Sequence, residues 1–393
     1  MIKNRTVGIV IPAYNEERQI GTVISSLPEF VDSIVVVDDG STDHTAREAL
    51  RFGSKQELIK KLTIIRRDSN RGVGRAIADG YKWMAEKGLD VVVVMAGDGQ
   101  MDPRELPKVI GPVVDGRVDY VKGNRLRSSD RWKKIPKNRL VGNAVLSLLT
   151  KAVSGYFSVI DSQSGYTAIS SRALRALDLD RIYEGYGVPN DILTKLNIRG
   201  FPIAQVPIEP IYNIGEQSKM RVGRVVFPIS ILLVKLFFLR LFSRYLVREF
   251  HPVFFLYLAG IALLLAGSLG GGTMAAVDFA RRLGMESGIE PPFEWMVLLP
   301  HCLLSGLNLL LVSIWIDMQQ NQHLQIDLPA ESRDAPDRDR PGPCLAPPVG
   351  DCPLVPSSGP RVRAAPLFVR SVPLESSVSS SGARFQGTGE GEK

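Results

Sequence analysis

The sequence predicts an α/β fold, in which a mostly parallel sheet covered by helices is followed by a membrane-associated region. Four consecutive valines, Val91–Val94, are typical of a parallel strand that is buried on both faces. Strand-like and helix-like patterns alternate over roughly the first 215 residues, which favours right-handed crossovers. Two uncharged stretches, at 253–269 and 295–316, are long enough to cross a bilayer. The expected regions are an α/β domain at 1–221, interfacial amphipathic helices at 222–250, two transmembrane helices within 251–320 and a disordered tail at 325–393.

The positive charge of the chain is concentrated next to the predicted membrane segments. The formal net charge is +7, and seven lysines and arginines but a single acid lie between Ser218 and Phe250. Three of these cations, Arg240, Arg244 and Arg248, are spaced four residues apart and therefore share one helix face. We expect anionic lipid headgroups as the partner of this face, and no nucleic acid.

The cysteines and the N-terminus indicate the compartment. Cys302, Cys344 and Cys352 have neither metal-ligand spacing nor a paired framework, which favours a reducing environment. The first five residues lead directly into a strand pattern, so we expect no secretory signal. Together with the basic belt, this predicts a multi-pass membrane protein whose α/β domain lies on the cytoplasmic face.

Polar side chains follow the first two predicted strands. The strand at 6–11 is followed by P-A-Y-N-E-E at 12–17, and the strand at 33–37 by D-D-G-S-T-D at 38–43. The adjacent carboxylates in the second motif repel each other unless donors bind them, and a base or a ribose offers suitable N–H and O–H groups. Alternatively, these residues only form turns and cap the helices that follow.

A glycine pair follows the third predicted strand, which spans 62–65. It belongs to N-R-G-V-G at 70–74, but position 77 is isoleucine and the motif does not follow the first strand. We therefore reject a nicotinamide or flavin site. The backbone N–H groups of this loop remain candidates for contact with a phosphate.

The valine strand ends at a turn that suits a divalent cation. Asp98 and Gln100 offer oxygen ligands in one tight turn, which fits a hard cation that takes its remaining ligands from water and substrate phosphates. The alternative is that Asp98 and Asp102 only cap the turn and the next helix.

Three further residues are candidates for the same site. A fifth predicted strand, at 119–122, delivers Arg125 to the same side of the sheet. Asp191 precedes a helix and is either a catalytic base or an acid stabilised by the helix dipole. Lys219 belongs to a basic loop, whose cations either clamp a diphosphate or meet lipid headgroups.

In this order, at the ends of successive strands, the motifs resemble those of the family 2 glycosyltransferases, which have the Rossmann-like GT-A fold. With its membrane segments, the chain is similar to the polyprenyl-phosphate (dolichyl-phosphate) mannosyl- and glucosyltransferases over about residues 5 to 320. One position departs from the family pattern. The usual D-x-D of the metal turn has Ala96 in its first place, so Asp98 is its only carboxylate.

The resemblance implies a role for each motif. Asp98 and Gln100 would bind Mg²⁺ or Mn²⁺ on the donor diphosphate. Arg125 would reach the phosphates or the acceptor, and Ser218 and Lys219 would match the family's late Ser-Lys loop. The donor nucleotide site would be formed by Pro12, Tyr14, Glu16, Val37, Asp39 and Gly97.

The implied reaction is the inverting transfer of a hexose, from GDP-mannose or UDP-glucose, to the phosphate of a membrane polyprenol. A phosphate oxyanion needs no general base, so Asp191 matters only if the acceptor is a sugar hydroxyl. Two alternatives stay open. One is a glycosyltransferase that uses a glycolipid hydroxyl, with Asp191 as base, and the other is an inactive sugar-nucleotide-binding scaffold, which Ala96 suggests.

Overall fold

The computed structural model describes residues 1–53, 60–126, 137–209, 211, 222–283, 292–328 and 369–371. The strands in this part of the chain are β1 (Val7–Ala13), β2 (Ser33–Asp38), β3 (Leu62–Arg66), β4 (Val91–Val94), β5 (Tyr120–Asn124), β6 (Thr167–Ser170), β7 (Ile203–Pro207), β8 (Gln325–Ile326) and β9 (Val369–Ser371). They form one sheet in the order β8-β7-β5-β6-β4-β1-β2-β3-β9. All neighbours are parallel except β6, which is antiparallel to β4 and β5. The predicted GT-A-like fold with a mostly parallel sheet is confirmed.

Helices connect the strands and then continue beyond the sheet. They are α1 (Ile20–Ser25), α2 (Thr45–Gly53), α3 (Val73–Glu86), α4 (Leu106–Val114), α5 (Lys137–Ser154), α6 (Ser171–Ala176), α7 (Val188–Ile198), α8 (Val222–Arg240), α9 (Val253–Arg282) and α10 (Phe293–Asn321). A π-helical segment, Leu241–Arg248, prolongs α8.

Two hydrophobic cores lie on opposite faces of the sheet. In β4, Val91 and Val93 belong to one core and Val92 and Val94 to the other, and none of the four is more than 3% exposed. Each fully buried side chain of this kind contributes about 1.5–3 kcal/mol relative to an exposed one. The valine run therefore holds the sheet to helices on both sides, as its composition predicted.

The first strand differs from its predicted limits, and the first helix begins after the motif that follows the strand. β1 runs through Pro12 to Ala13, whereas the strand was expected to end before the proline. Pro12 is paired with Val37 of β2, but its carbonyl accepts from Gly97 on the β4 side, and in a parallel strand the nitrogen of the same residue faces that side too. Because the ladder between β1 and β4 ends at Val10, the proline nitrogen is not required for a ladder hydrogen bond. α1 begins only at Ile20, because the two glutamates before it belong to a loop that contacts the next motif.

Three helices in the described residues are long and apolar enough to cross a membrane, Val226–Arg248, Val253–Arg282 and Phe293–Leu324. The last two contain the predicted spans, although α9 continues beyond residue 269 and includes Asp278, Arg281 and Arg282. The first covers the segment that we predicted to lie in the membrane interface. α9 and α10 pack closely at two glycines. A Cβ atom at Gly260 would lie within 3 Å of Leu310, and one at Gly306 would lie within 3 Å of the Leu264 nitrogen.

The predicted disordered tail is described only in part. Gln325–Ile326 and Val369–Ser371 are short strands at the two ends of the sheet, and in these two pieces the structure differs from the prediction. Apart from 327–328, the rest of 325–393 lies outside the described residues.

Candidate active site

The polar motifs meet at one end of the sheet. β4, β1 and β2 are adjacent and parallel, so the loops that leave their carboxyl ends start side by side. In open α/β sheets, ligands bind in the crevice beyond these ends. The site is therefore built from the loops that follow β1, β2 and β4.

The first two loops are held together by hydrogen bonds. Asn15 adopts a left-handed conformation, with φ of 53°, and its Oδ1 accepts a hydrogen bond of 2.8 Å from the Thr42 amide. In return, the Asn15 amide donates to Ser41 Oγ at 2.9 Å and the Glu16 amide to Thr45 Oγ1 at 2.7 Å. The two loops therefore form one unit, in which side-chain oxygens of each motif bind backbone amides of the other.

Asp39 connects this unit to the loop after β3. Its Oδ1 accepts hydrogen bonds from Arg67 Nη1 at 2.9 Å and from the Arg71 amide at 3.0 Å, and its Oδ2 accepts one from the Gly72 amide at 2.8 Å. The N-R-G-V-G loop is thus bound to a carboxylate of the protein. The backbone donors that we considered for a phosphate are, at Arg71 and Gly72, directed at Asp39.

Asp38 and Asp39 avoid repulsion because each faces its own partners. Asp38 is fully buried, accepts a hydrogen bond of 2.9 Å from the Ser41 amide and lies 3.6 Å from Arg66 Nε. Gly40 follows with φ of +69°, and a Cβ atom there would lie 2.6 Å from the Ser69 carbonyl carbon. Only glycine fits this position, since both its backbone conformation and the approach of a neighbouring loop exclude a side chain.

The turn after β4 presents Asp98 and Gln100 beside β1. Asp98 Oδ1 accepts a hydrogen bond of 3.0 Å from the Gln100 amide, and Gly99 has φ of +74°. The Gly97 amide donates to the Pro12 carbonyl at 3.2 Å, so the turn is attached to the first motif. Asp98 and Gln100 are both half-buried.

The chemistry of this turn fits a divalent cation bound with substrate. In the described part of the chain, no cluster of three or more His, Cys, Asp and Glu side chains forms a complete metal cage. A carboxylate and an amide oxygen are suitable ligands for Mg²⁺, which usually keeps waters and shares its coordination with phosphates. The donor set is thus adequate for a metal–diphosphate complex.

Arg125 is oriented by a buried carboxylate. Its Nε and Nη2 donate to Asp161 at 2.8 and 3.0 Å, and the Asp161 side chain is 5% exposed. Burial by itself raises the pKa of Asp161, but the hydrogen bonds and charge of Arg125, together with Lys122, hold this pKa below its usual value. Arg125 itself remains 31% exposed, so its guanidinium is held by Asp161 and is still accessible from solvent.

Lys122 is a buried cation next to this pair. It is fully buried on β5, and its Nζ donates to the Ser164 carbonyl at 2.5 Å. Burial lowers the pKa of Lys122 to about 7, an effect that Asp161 opposes and Arg125 increases. The charge near Arg125 therefore changes close to neutral pH.

Asp191 lies in the first turn of α7 and is engaged in an ion pair. It is 3% exposed, and its Oδ2 accepts hydrogen bonds from Lys195 Nζ at 2.7 Å and from the Tyr183 amide at 2.8 Å. Of the two possibilities raised by the sequence, this geometry favours a stabilising helix acid, because both donors lie within the protein.

Comparison with known proteins identifies the family. Residues 8–177 match the family model described as Glycosyl transferase family 2. A UDP-N-acetylglucosamine–dolichyl-phosphate N-acetylglucosaminyltransferase of Methanococcus voltae is 33% identical over 220 residues, which are 53% of this chain and 87% of that protein. The chain belongs to glycosyltransferase family 2.

Other glycosyltransferases are also similar. An undecaprenyl-phosphate mannosyltransferase of Micrococcus luteus is 31% identical over 219 residues, covering 55% of this chain and 88% of that protein. The crystal structure of glucosyl-3-phosphoglycerate synthase from Mycobacterium tuberculosis in complex with uridine diphosphate is 24% identical, with a TM-score of 0.45, and the match covers 60% of this chain and 80% of that one.

The remaining predicted residues of this glycosyltransferase lie in different settings. Pro12 and Val37 are paired across β1 and β2, and the Val37 side chain is fully buried in a core. Tyr14 and Glu16 are half-buried in the first loop. Ser218 and Lys219 lie outside the described residues, so their assignment stays a prediction.

Sequence reasoning missed the side chains that orient the site. Asp161, Arg67 and Lys122 were given no role, although Asp161 opens the conspicuous D-S-Q-S-G stretch at 161–165. Arg67 directly follows Arg66, the last residue of β3, and nothing in the sequence distinguishes the 8% exposed Arg67 from Arg66, which is mostly exposed.

Proposed function

We propose that this glycosyltransferase moves a hexose, mannose or glucose, from a nucleoside diphosphate sugar to the phosphate of a membrane polyprenol, with inversion at the anomeric carbon. Two relatives that are at least 31% identical are named as transferases to dolichyl phosphate and undecaprenyl phosphate. The observation that carries the proposal is that apolar α8 packs directly on the α/β domain, which we call the sugar-nucleotide domain. Leu232 and Leu236 of α8 share a hydrophobic cluster with Val153 of α5, and α8 also contacts α7. A lipid acceptor can then reach a site that a polar donor enters from water.

The donor half of the proposal rests on the three joined loops. Asp39, held by Arg67, would accept a hydrogen bond from the base or ribose. Asp98 and Gln100 would hold Mg²⁺ or Mn²⁺, which neutralises charge on the departing diphosphate when bound. The fixed Asn15–Thr42 contact limits the movement of the loops that surround this site.

The acceptor half rests on the absence of any need for a base. A phosphate oxyanion attacks without losing a proton, so the protein only has to orient it and stabilise charge. Arg125, whose guanidinium is held by Asp161, is suited to this task. The Lys195–Asp191 ion pair argues against a sugar-hydroxyl acceptor with Asp191 as base.

The chemical stability of the product tests this proposal. Proteoliposomes are incubated with labelled GDP-mannose, UDP-glucose or UDP-N-acetylglucosamine and a long-chain polyprenyl phosphate. We expect a labelled lipid that releases its sugar in mild acid, as a glycosyl phosphate does, and none with the Asp98→Asn variant. An acid-stable glycolipid would contradict the phosphate acceptor, and donor binding without transfer in every mixture would favour an inactive scaffold.

A further inference from the structure

The three arginines that were predicted to face lipid headgroups are directed into the protein instead. Arg240 is fully buried and Arg244 is 4% exposed, so the prediction is wrong for these two residues. Arg248 is exposed, but its guanidinium donates to the Ile198 carbonyl. The shared helix face predicted from their spacing exists, and it meets the sugar-nucleotide domain rather than the bilayer.

Each arginine binds carbonyl groups at the C-terminal end of a helix in that domain. Arg240 Nε and Nη2 donate to the carbonyls of Val153 and Ala152, at 2.8 and 2.9 Å, in the last turn of α5. Arg244 Nη1 donates to the Asn197 carbonyl at 2.7 Å, at the end of α7. Cations are favourable at these ends, where carbonyls lack partners within the helix and the dipole is negative.

Asp317 of α10 completes the arrangement from the membrane side. It is fully buried and accepts two hydrogen bonds from the Arg240 guanidinium, at 2.9 and 2.6 Å. The hydroxyls of Tyr245 and Tyr257 donate to it at 2.5 and 3.1 Å, and Asn321 Nδ2 at 2.6 Å. The junction cluster, as we call it, consists of Arg240, Arg244, Tyr245, Tyr257, Asp317 and Asn321.

The cluster is connected to the sugar-nucleotide domain at a second point and requires a glycine. Asn197 Nδ2 donates to Asn321 Oδ1 at 2.8 Å, which joins α7 to α10. Gly155, with φ of +75°, follows α5, and a Cβ atom there would lie 2.7 Å from Arg240 Nη1 and 2.9 Å from Asn197 Nδ2. Arg240 and Asn197 can therefore approach the backbone this closely only because residue 155 is a glycine.

We propose that the junction cluster holds the two membrane helices α9 and α10 in one fixed position on the sugar-nucleotide domain, and that Asp317 and Arg240 are positioning residues for the lipid acceptor. A buried ion pair is weak evidence for stability alone, because its desolvation cost offsets much of the attraction. Its geometry does, however, specify one arrangement, since the bidentate pair and the helix ends match in a single register. The effect on the acceptor rests on the proposed function, whereas the fixed position does not.

Two measurements on Asp317→Asn test the proposal, with Arg282→Gln as the matched control. Arg282 pairs with Asp278 on the exposed end of α9, where the two side chains are 77% and 63% exposed. The first measurement is the distance distribution between spin labels at Glu86→Cys on α3 and Thr273→Cys on α9, after Cys302, Cys344 and Cys352 are replaced by serine. We expect a narrow distribution in the parent protein and the control, and a broader one in Asp317→Asn.

The second measurement compares acceptors. We expect Asp317→Asn to lower kcat/KM for long-chain polyprenyl phosphate in phosphatidylcholine vesicles by about tenfold, mainly through KM. The Kd of the sugar nucleotide and the turnover of a short, water-soluble prenyl phosphate should stay at control values. A variant that is merely less stable would lose sugar-nucleotide binding and transfer to both acceptors together. That result would contradict a positioning role.

A milder variant keeps the test decisive if Asp317→Asn does not fold. Tyr257→Phe retains the ring that packs against Phe237, at a centroid distance of 5.3 Å, and removes only one hydroxyl from Asp317. We expect a smaller change of the same kind in both measurements. If the distance distribution of Tyr257→Phe is identical to that of the Arg282→Gln control, the proposal is overturned. If the parent protein transfers sugar to no prenyl phosphate, the proposed function fails while the spin-label distances still decide on the fixed position.

Discussion

Buried charges occur both at the carboxyl end of the sheet and at the junction with the membrane helices, but their partners lie at different distances along the chain. Asp39 is bound by groups 28 to 33 residues downstream, in the next strand-loop unit. Asp317 is bound by Tyr257 and Arg240, which are 60 and 77 residues upstream and on different helices. The first set forms as consecutive units assemble, whereas the second requires all the helices to be packed.

The comparison also separates two uses of charge. At the sheet, Asp98 and Arg125 remain partly exposed and can meet a substrate. At the junction, Asp317 and Arg240 are completely enclosed and can only meet each other and nearby helices. Substitutions at the exposed charges of the sheet should therefore change catalysis directly, and those at the junction should change the position of α9 and α10 and, through it, the use of the lipid acceptor.

The largest effect is expected from Asp98→Asn. The loss of the only carboxylate of the proposed metal turn should lower turnover by about 10³-fold, because metal-ion stabilisation of a leaving group is worth several kcal/mol. Circular dichroism and the thermal midpoint should stay near the parent values. The check is a steady-state assay at several Mn²⁺ concentrations, and full activity at low Mn²⁺ would exclude this residue as a ligand.

A set of glycine substitutions with matched backbone angles should give the next largest effect. Gly40, Gly155 and Gly116 have φ of +69°, +75° and +70°, but a Cβ atom would meet backbone at Gly40, side chains at Gly155 and nothing within 4 Å at Gly116. Alanine at Gly116 should cost about 1 kcal/mol of unfolding free energy, from strain alone. We expect larger losses at Gly155 and the largest at Gly40, where backbone cannot move aside.

Thermal unfolding in detergent, followed by circular dichroism, ranks these three variants. Only Gly40→Ala should also raise KM for the sugar nucleotide, because its loop belongs to the proposed donor site. Equal losses of unfolding free energy at all three positions would mean that the neighbouring atoms near Gly40 and Gly155 add nothing to the cost of the strained backbone conformation.

Lys122→Met should have a smaller effect that depends on pH. The folded pKa of about 7 lies below the ordinary value of about 10.4 for lysine, so between these values the unfolded chain holds a proton that the folded protein lacks. This residue therefore makes stability rise with pH by about 1.4 kcal/mol per unit, and its penalty is complete below pH 7. The variant should lose that slope and gain most, relative to the parent, at and below neutral pH.

The measurement is the denaturation midpoint between pH 6 and pH 10, with the exposed Lys60→Met as control. A parallel pH dependence for the parent and Lys122→Met would show that Lys122 remains charged in the folded protein throughout this range.

The smallest effect on rate is expected from Asp191→Asn. The carboxylate is bound to Lys195 and to the Tyr183 amide, so its loss should cost about 1 kcal/mol or more of stability and leave most of the turnover. Removal of a general base would instead lower the rate by about 10²–10⁴-fold. A loss of that size in a folded variant would favour the hypothesis that the acceptor is a glycolipid hydroxyl.

Much of the site at the sheet could be predicted from the sequence. The four strands that precede the polar motifs were recognised because buried β-branched runs have a simple pattern, and parallel topology brings their carboxyl ends together. The antiparallel strand β6 was not predicted, since Thr167–Ser170 is short and lies between β4 and β5 only after a long connection has folded back. Lys122 and Asp161 were missed for the same reason, because residues of β5 and of that connection approach each other only in the folded sheet.

The sequence by itself determined the alternation of strands and helices, the motifs at the strand ends and the helix face shared by Arg240, Arg244 and Arg248. These follow from the local periods of strand and helix, which a few neighbouring residues are enough to establish. What that face contacts was decided by the tertiary structure. A spacing of four residues determines which side chains lie on the same helix face. Whether that face contacts lipid headgroups or the ends of α5 and α7 depends on which helices pack against it. Asp317 contacts Arg240 only after these helices have packed.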